Sequence, residues 1–268
     1  LTDVLARETV DTRLLNGRRY PLEITRCDLP VRGLALPPEG LVLAHLTDFH
    51  GGFAGTDPVI EEAVRLTMIE RPDLILLTGD YLDDGLRKYD FPIERYLKTL
   101  SARLGVYASF GNHDHRFGLE SVRERLVQAG IRILCNESLG LDYGLQIAAI
   151  DDIEEGHPDV ARALEGVPSD RTTILMSHNP QVMDHPPDRD LVILSGHTHG
   201  GQFRVSFPNP ELICRLHLQC RQVAGWYRSG NVRQYVNRGL GVTRLPFRVN
   251  CPAELVFFRL KNADVDGI

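Results

Sequence analysis

Five short clusters carry side chains able to hold a divalent cation or move a proton: Asp48-Phe49-His50, Gly79-Asp80, Gly111-Asn112-His113-Asp114, Ser177-His178-Asn179 and Gly196-His197-Thr198-His199. Carboxylates, imidazoles and one amide oxygen, without a thiolate, suit ions of intermediate hardness such as Mn²⁺, Fe²⁺ or Zn²⁺, with Mg²⁺ less at home. The candidate ligands Asp48, His50, Asp80, Asn112, His178, His197 and His199 are too many for one ion. Two ions roughly 3.5–4 Å apart, sharing a carboxylate, use them all. Each cluster is weak alone, since Asp-x-His is commoner as a turn than as a ligand pair. The string Gly-Asn-His-Asp, in contrast, is expected by chance in roughly one chain per thousand of this length.

Those clusters need elements to position them. Apolar runs of strand length precede each one: Leu41 to Leu46, Leu74 to Leu77, Val106 to Phe110, Thr172 to Met176 and Leu191 to Leu194. Helical patterns at Pro58 to Glu70, Phe91 to Ala102 and Leu119 to Ala129 separate the first three runs and follow the third, a βαβ succession implying a largely parallel sheet covered on both faces. Asp57-Pro58 reads as N-cap and first residue of the first helix. The later runs Leu145 to Ile150, Gln202 to Val205, Val232 to Val236 and Glu254 to Leu260 have few helices between them and predict a second, more antiparallel sheet. The expected fold class is therefore α/β, a four-layer α/β/β/α sandwich with two packed mixed sheets. Residues 1–40 read as an arm interrupted by Pro and Asn-Gly, with an edge strand at Leu22 to Arg26, and residues 41–268 as one catalytic domain.

In open α/β sheets, ligands gather at the carboxyl rim of the strands, where loops converge without disturbing the core. All five clusters lie on that rim. Asp48 and His50, and likewise His197 and His199, are two apart and point to one side wherever strand geometry persists. Gly79, Gly111 and Gly196 permit the sharp turns. His45, inside an apolar run, reads as a hydrogen-bonded core histidine, and His115, His157, His185 and His217 as surface or structural. Asp83, Asp84, Asp151 and Asp152 lie in loops near the motifs, where any could support a ligand from behind, but ordinary surface frequency favours solvated carboxylates.

A formal net charge of -6 over 268 residues argues against a general nucleic-acid binder, which needs a basic face. No apolar run reaches the roughly 20 residues that span a bilayer. The chain begins at Leu1 rather than Met, and a native N-terminal segment is expected ahead of it, leaving room for membrane association. Cys27, Cys135, Cys214, Cys220 and Cys251 form no C-x-x-C pair and read as buried thiols, with Cys214 and Cys220 the one pair near in sequence.

The series Asp48-x-His50, Gly79-Asp80, Gly111-Asn112-His113-Asp114, His178 and Gly196-His197-Thr198-His199 resembles the calcineurin-like metallophosphoesterases. Gly196 to Gln202, Tyr235 to Gly241 and Pro246 to Leu255 are similar to a bacterial branch with secreted or membrane-associated phosphodiesterases and a UDP-2,3-diacylglucosamine pyrophosphatase of lipid A synthesis. The resemblance implies a dinuclear, manganese-type centre with one ion on Asp48, His50 and His199, the other on Asn112, His178 and His197, and Asp80 bridging. It implies further that Asn112 and His113 contact substrate and that Asp114 orients His113. The reaction expected is hydrolysis of a phosphodiester or pyrophosphate by a metal-bridging hydroxide, with His113 protonating the departing oxygen.

Between the last metal motif and the final strand, arginines from Arg204 to Arg233 interleave with Trp226, Tyr227 and leucines. Such a stretch fits docking on an anionic lipid surface or a nucleotide diphosphate, and equally a solvated loop. The expected partner is a small-molecule or lipid-linked phosphate ester, with peripheral membrane contact. Alternatives are a nuclease on the same centre or a non-catalytic phosphate-binding scaffold.

Overall fold

Two twisted sheets stack face to face in the computed structural model, which describes residues 4–13, 19–53, 56–83, 91–204 and 220–263. The first has seven strands in the order β1 (Val4–Arg13), β2 (Arg19–Val31), β13 (Ala253–Asn262), β3 (Leu41–Leu46), β4 (Leu74–Thr78), β5 (Val106–Ser109) and β6 (Arg132–Ile133). The second has six: β11 (Gly225–Ser229), β12 (Val232–Val236), β10 (Leu191–Ser195), β9 (Thr173–Met176), β8 (Gln146–Ala149) and β7 (Glu137–Gly140). Helices α1 (Asp57–Glu70), α2 (Ile93–Leu97) and α3 (Asn112–Gln128, broken at Gly118) cover the first sheet. The short α4 (Val160–Ala163) and a 3₁₀ turn at Pro180–Asp184 cover the second.

Strand alternation builds three apolar layers. Leu41, Leu43, Leu74 and Leu76 face Ile174, Met176, Val192 and Leu194 between the sheets. Ala44, Leu46, Ile75 and Leu77 face Val59, Ile60, Ile93 and Val122 of the helices. Leu175 and Ile193 turn the other way, onto Ala163 and Val182. Apolar residues on both faces make these strands continuous hydrophobic runs, as strands buried on both sides must be. The α/β/β/α sandwich follows, with a thin fourth layer.

Several expectations need correction. The inner strands β12, β10, β9 and β8 of the second sheet run parallel, and only the flanking β11 and β7 are antiparallel. Glu254 to Leu260 does not join that sheet. It lies in β13, parallel to β2 and antiparallel to β3 in the first sheet, and its six consecutive buried residues require two covered faces. Leu22 to Arg26 is flanked on both sides, the edge being taken by β1. Gln202 forms no strand: a 3₁₀ turn at His199–Gly201 leads to a single bridge between Phe203 and Val249, and Val205 lies outside the described residues. Thr56, not Asp57, is the N-cap of α1. No helix among the described residues is long and apolar enough to cross a membrane.

Cys27 and Cys251 are buried free thiols, Cys135 is half-buried and free, Cys220 is buried with its Sγ 3.2 Å from the Gln222 carbonyl, and Cys214 lies outside the described residues. The arginine-rich stretch divides. Trp226 stacks edge-on against Tyr235 and Phe258 in the inter-sheet core, and Arg233 reaches the Pro30 carbonyl at 2.7 Å. Arg215, Phe207, Leu212, Ile213, Leu216 and Leu218 lie outside the described residues.

Candidate metal centre

The carboxyl ends of β3, β4, β5, β9 and β10 converge between the sheets. Asp48, His50, Asp80, Asn112, His178, His197 and His199 all meet there, each no more than 7% exposed. Strand geometry does not carry them in. β3 ends at Leu46 and β10 at Ser195, and Asp48 (φ 51°), His50 (φ 44°), Asp80 (φ 56°), His197 (φ 71°) and His199 (φ 51°) are left-handed. Such residues cost about 1–3 kcal/mol each and persist only where the surroundings over-determine them. Gly196 shows the crowding, because a Cβ there would collide with the Asp48 carboxylate and Thr47.

Ligand atoms of Asp48, His50 and His199 lie within 4.8 Å of one another. His199 Nε2 is 3.0 Å from His50 Nε2 and 3.3 Å from Asp48 Oδ1. A second group surrounds Asn112 Oδ1, which lies 3.2 Å from His178 Nε2 and 3.1 Å from His197 Nδ1. Asp80 joins the two, its Oδ2 standing 3.5 Å from His50 Nε2 and 3.1 Å from His178 Nε2. Thus His197 and His199, two apart in sequence, face different groups. The His113 ring packs edge-on to His50 at 4.7 Å, and a His113 ring nitrogen also falls within 4.8 Å of ligand atoms of His50 and Asp80.

The donor chemistry fits metal ions. His178 Nδ1 donates to the Thr78 carbonyl at 2.7 Å, which leaves Nε2 to face two oxygens, Asp80 Oδ2 and Asn112 Oδ1. Between two such oxygens Nε2 is stable only with positive charge beside it, carried by its own proton or by a bound cation. Electrostatics agree. Burial opposes charging His178, yet the charge and hydrogen bond of Asp80, with Asp48, hold its imidazole well above the usual range. His199 is pushed the other way by burial, His50 and Arg248, and stays a neutral donor. Burial works against ionising Asp80, but His178, His113 and His50 keep its carboxyl well below the usual range.

Asp114 has a different task from orienting His113. Its Oδ2 accepts the backbone N–H groups of Asp80 and Gly111, both at 2.8 Å, and its Oδ1 that of Tyr81 at 2.9 Å. It clamps the β4 and β5 loops together, and His113 is fixed through its own N–H to Asp80 Oδ1 at 2.9 Å. The motif also opens α3, with Gly111 as N-cap and Asp114 at the third helical position. Burial raises the Asp114 carboxyl to about 7, and the Asp80 charge adds to it.

The nearby acids are not solvated. Asp83 and Asp151 are 8% exposed and Asp152 is 1% exposed, whereas Asp84 lies outside the described residues. Asp83 Oδ1 stands 3.7 Å from His50 Nδ1, and Asp151 holds His115 Nε2 at 2.8 Å. His45 is the core histidine expected, its Nε2 2.8 Å from Thr78 Oγ1. His157 and His185 are exposed, and His217 lies outside the described residues.

Two contributors escape sequence reasoning. Glu154 Oε1 approaches His197 Nε2 at 3.1 Å, off the hydrogen-bond direction, and the His197 ring holds the Glu154 carboxyl below its ordinary range. Its signal was the acidic run after β8. Arg248 gathers carbonyls of His199, Arg238, Gly239 and Gly241 and sets Nη2 3.3 Å from His199 Nδ1. A cleft of about 380 Å³ opens over the centre, lined by Asn112, His113, Arg116, Glu154 and the loop around Leu245.

A family model described as calcineurin-like phosphoesterase matches residues 41–201. The chain is similar to the uncharacterized metallophosphoesterase YkuE of Bacillus subtilis (strain 168), at 34% identity over 82% of this chain and 77% of that one. An uncharacterized metallophosphoesterase of Aquifex aeolicus (strain VF5) is 28% identical over 94% of each chain. A transmembrane protein with metallophosphoesterase domain from Danio rerio is 31% identical over 93% of this chain, which spans 60% of that relative.

Proposed function

The chain belongs to the calcineurin-like phosphoesterase family, and on that premise we propose that it hydrolyses a phosphodiester or pyrophosphate bond at a centre of two divalent ions. The observation carrying this reading is the buried Asp80 carboxylate standing between the two donor groups, its Oδ2 3.5 Å from His50 Nε2 and 3.1 Å from His178 Nε2. Asp48, His50 and His199 would hold one ion, Asn112, His178 and His197 the other, and Asp80 both. When bound, such a pair supplies a nucleophile from water near neutral pH and positive charge for the phosphoryl oxygens.

The chain's own residues do the rest. His113 lines the cleft and is half-buried where the other imidazoles of the motif series are buried, and in this reading it faces the phosphoryl group and gives the departing oxygen its proton. Asn112 begins α3 beside it, so a phosphoryl group over the centre meets both residues. Arg116 lines the same cleft and offers a fixed guanidinium to an anionic substrate. The substrate is a small-molecule or lipid-linked phosphate ester.

Purified protein assayed with Mn²⁺ against bis-p-nitrophenyl phosphate and p-nitrophenyl phosphate tests the reading. Turnover is expected to require metal and to favour the diester. Asp80→Ala should lower turnover by at least about a hundredfold and reduce retained metal in elemental analysis. Retention of full metal content and activity by this variant would overturn the assignment.

A further inference from the structure

Four large apolar side chains among the described residues are markedly exposed: Ile69, Val127, Leu245 and Phe247, at 61%, 63%, 47% and 42%. Scattered apolar residues on a surface need no explanation. Leu245 and Phe247, however, fall in one short loop at the mouth of the cleft, and that loop is held in place from the metal-binding segment. Gln202, three residues after His199 and only 6% exposed, sets its Nε2 3.2 Å from the Thr243 carbonyl, 3.0 Å from that of Leu245 and 3.1 Å from that of Phe247. Its Oε1 accepts the Thr243 N–H at 3.0 Å, so every polar atom of the amide is spent on loop backbone. The Gln202 carbonyl receives the Val249 N–H at 3.0 Å, closing the loop from the other end.

This strap fixes backbone and leaves the loop's apolar side chains outward. Leu245 lines the cleft together with Phe203, and Phe247 meets Phe203 edge-to-face with centroids 5.3 Å apart and planes at 88°. Leu245 and Phe203 therefore make an apolar patch on one wall of the cleft, bordered on the same loop by Thr243 and Arg244, while His113, Arg116 and Glu154 lie across it. Keeping a leucine in water at a fixed place forgoes its burial, a loss that a substrate carrying an apolar group recovers on binding.

We propose that Leu245, with Phe203 and Phe247, forms a specificity wall that receives an apolar organic group of the phosphate ester, so that the preferred substrates are esters of hydrophobic alcohols. The proposal rests on the phosphoesterase reading above and narrows its substrate class. Because the wall adjoins the centre that would hold the phosphoryl group, the apolar group it receives is one bonded close to phosphorus through an ester oxygen.

The test compares alkyl p-nitrophenyl phosphates bearing methyl, hexyl and polar dihydroxypropyl groups. The hexyl ester is expected to exceed the methyl and dihydroxypropyl esters in kcat/KM by about tenfold, the scale of partial burial of an alkyl chain. Leu245→Asn and the double variant Leu245→Asn/Phe247→Asn should bring the hexyl-to-methyl ratio down toward one. The ratio is internally referenced, so a general loss of activity cancels. Hexyl phosphate and methyl phosphate, titrated calorimetrically into the same three proteins, give a second readout that needs no turnover, with tighter hexyl binding expected only in the unsubstituted chain. Hydrolysis of all esters at one rate, or a hexyl preference that survives both variants, overturns the wall while leaving the phosphoesterase reading intact. Failure to hydrolyse any ester with metal present overturns that reading instead, and calorimetry then decides the wall alone. Hexyl esters presented as monomers and embedded in neutral phosphatidylcholine vesicles separate a soluble amphiphile from a membrane lipid as the source of the apolar group.

Discussion

Five candidate ligands hold a backbone conformation that L-residues seldom adopt, and Asp and His are among the few side chains that tolerate it. The types of these residues were legible from the sequence because the chemistry demands them. Their conformation was not, since left-handed backbone at Asp48 or His199 is imposed by the loops that close around it. The division of labour at residues 112–114 shows the same limit. His113→Ala is expected to lower kcat roughly a hundred- to ten-thousandfold while metal content, by elemental analysis, stays at that of the unsubstituted protein. Loss of metal would make His113 a ligand, an outcome its closeness to His50 and Asp80 puts within reach of the experiment. Asp114→Ala strands three buried N–H groups, each worth about 1–3 kcal/mol, so its melting temperature should fall sharply and its metal content with it.

Elements bring the ligands together, and straps hold the elements. The loops after β3, β4, β5, β9 and β10 supply ligands, but residues after β12 complete the frame. Glu254 on β13 accepts Thr25 Oγ1 at 2.7 Å, Tyr235 OH at 2.8 Å and the Arg238 N–H at 3.1 Å, tying β2 and β12 to the turn packed behind Asp48. The Gly239 N–H donates to Asn237 Oδ1 at 2.9 Å within that turn. Arg248 then closes it onto the His199 loop. Arg248→Lys keeps the charge but loses the planar fork, so the affinity for Mn²⁺ in a metal titration is expected to fall about 10- to 100-fold with the melting temperature of the metal-free protein little changed. Strands and long helices were legible from their apolar periods. β7, β11 and the insertion of β13 between β2 and β3 were not, because short strands lack a period and because pairing partners far apart in sequence leave no local trace.

At the scale of the whole molecule, three stacked apolar layers leave one polar seam, and the centre lies in it. His45 marks the seam's dry side. It is fully buried, and burial holds its imidazole down to about 3. The unfolded chain protonates this ring near pH 6.5 whereas the folded chain refuses the proton until about pH 3, so its contribution to stability is intact above pH 6.5 and is lost progressively below it. His45→Gln should therefore remove up to about 1.4 kcal/mol per pH unit from the slope of unfolding free energy between pH 6 and 4, measured by urea denaturation at each pH. By itself the sequence determined the two-sheet α/β architecture and seven candidate ligands, because burial on both faces writes continuous apolar runs and metal chemistry restricts donor types. Only the tertiary structure decided which donors face each other, that Asp80 touches both groups, that Asp114 serves backbone, and that Glu154 and Arg248 support the imidazoles. Those facts depend on atoms brought within a few ångström from positions up to 149 residues apart in the chain, a proximity that no local pattern encodes.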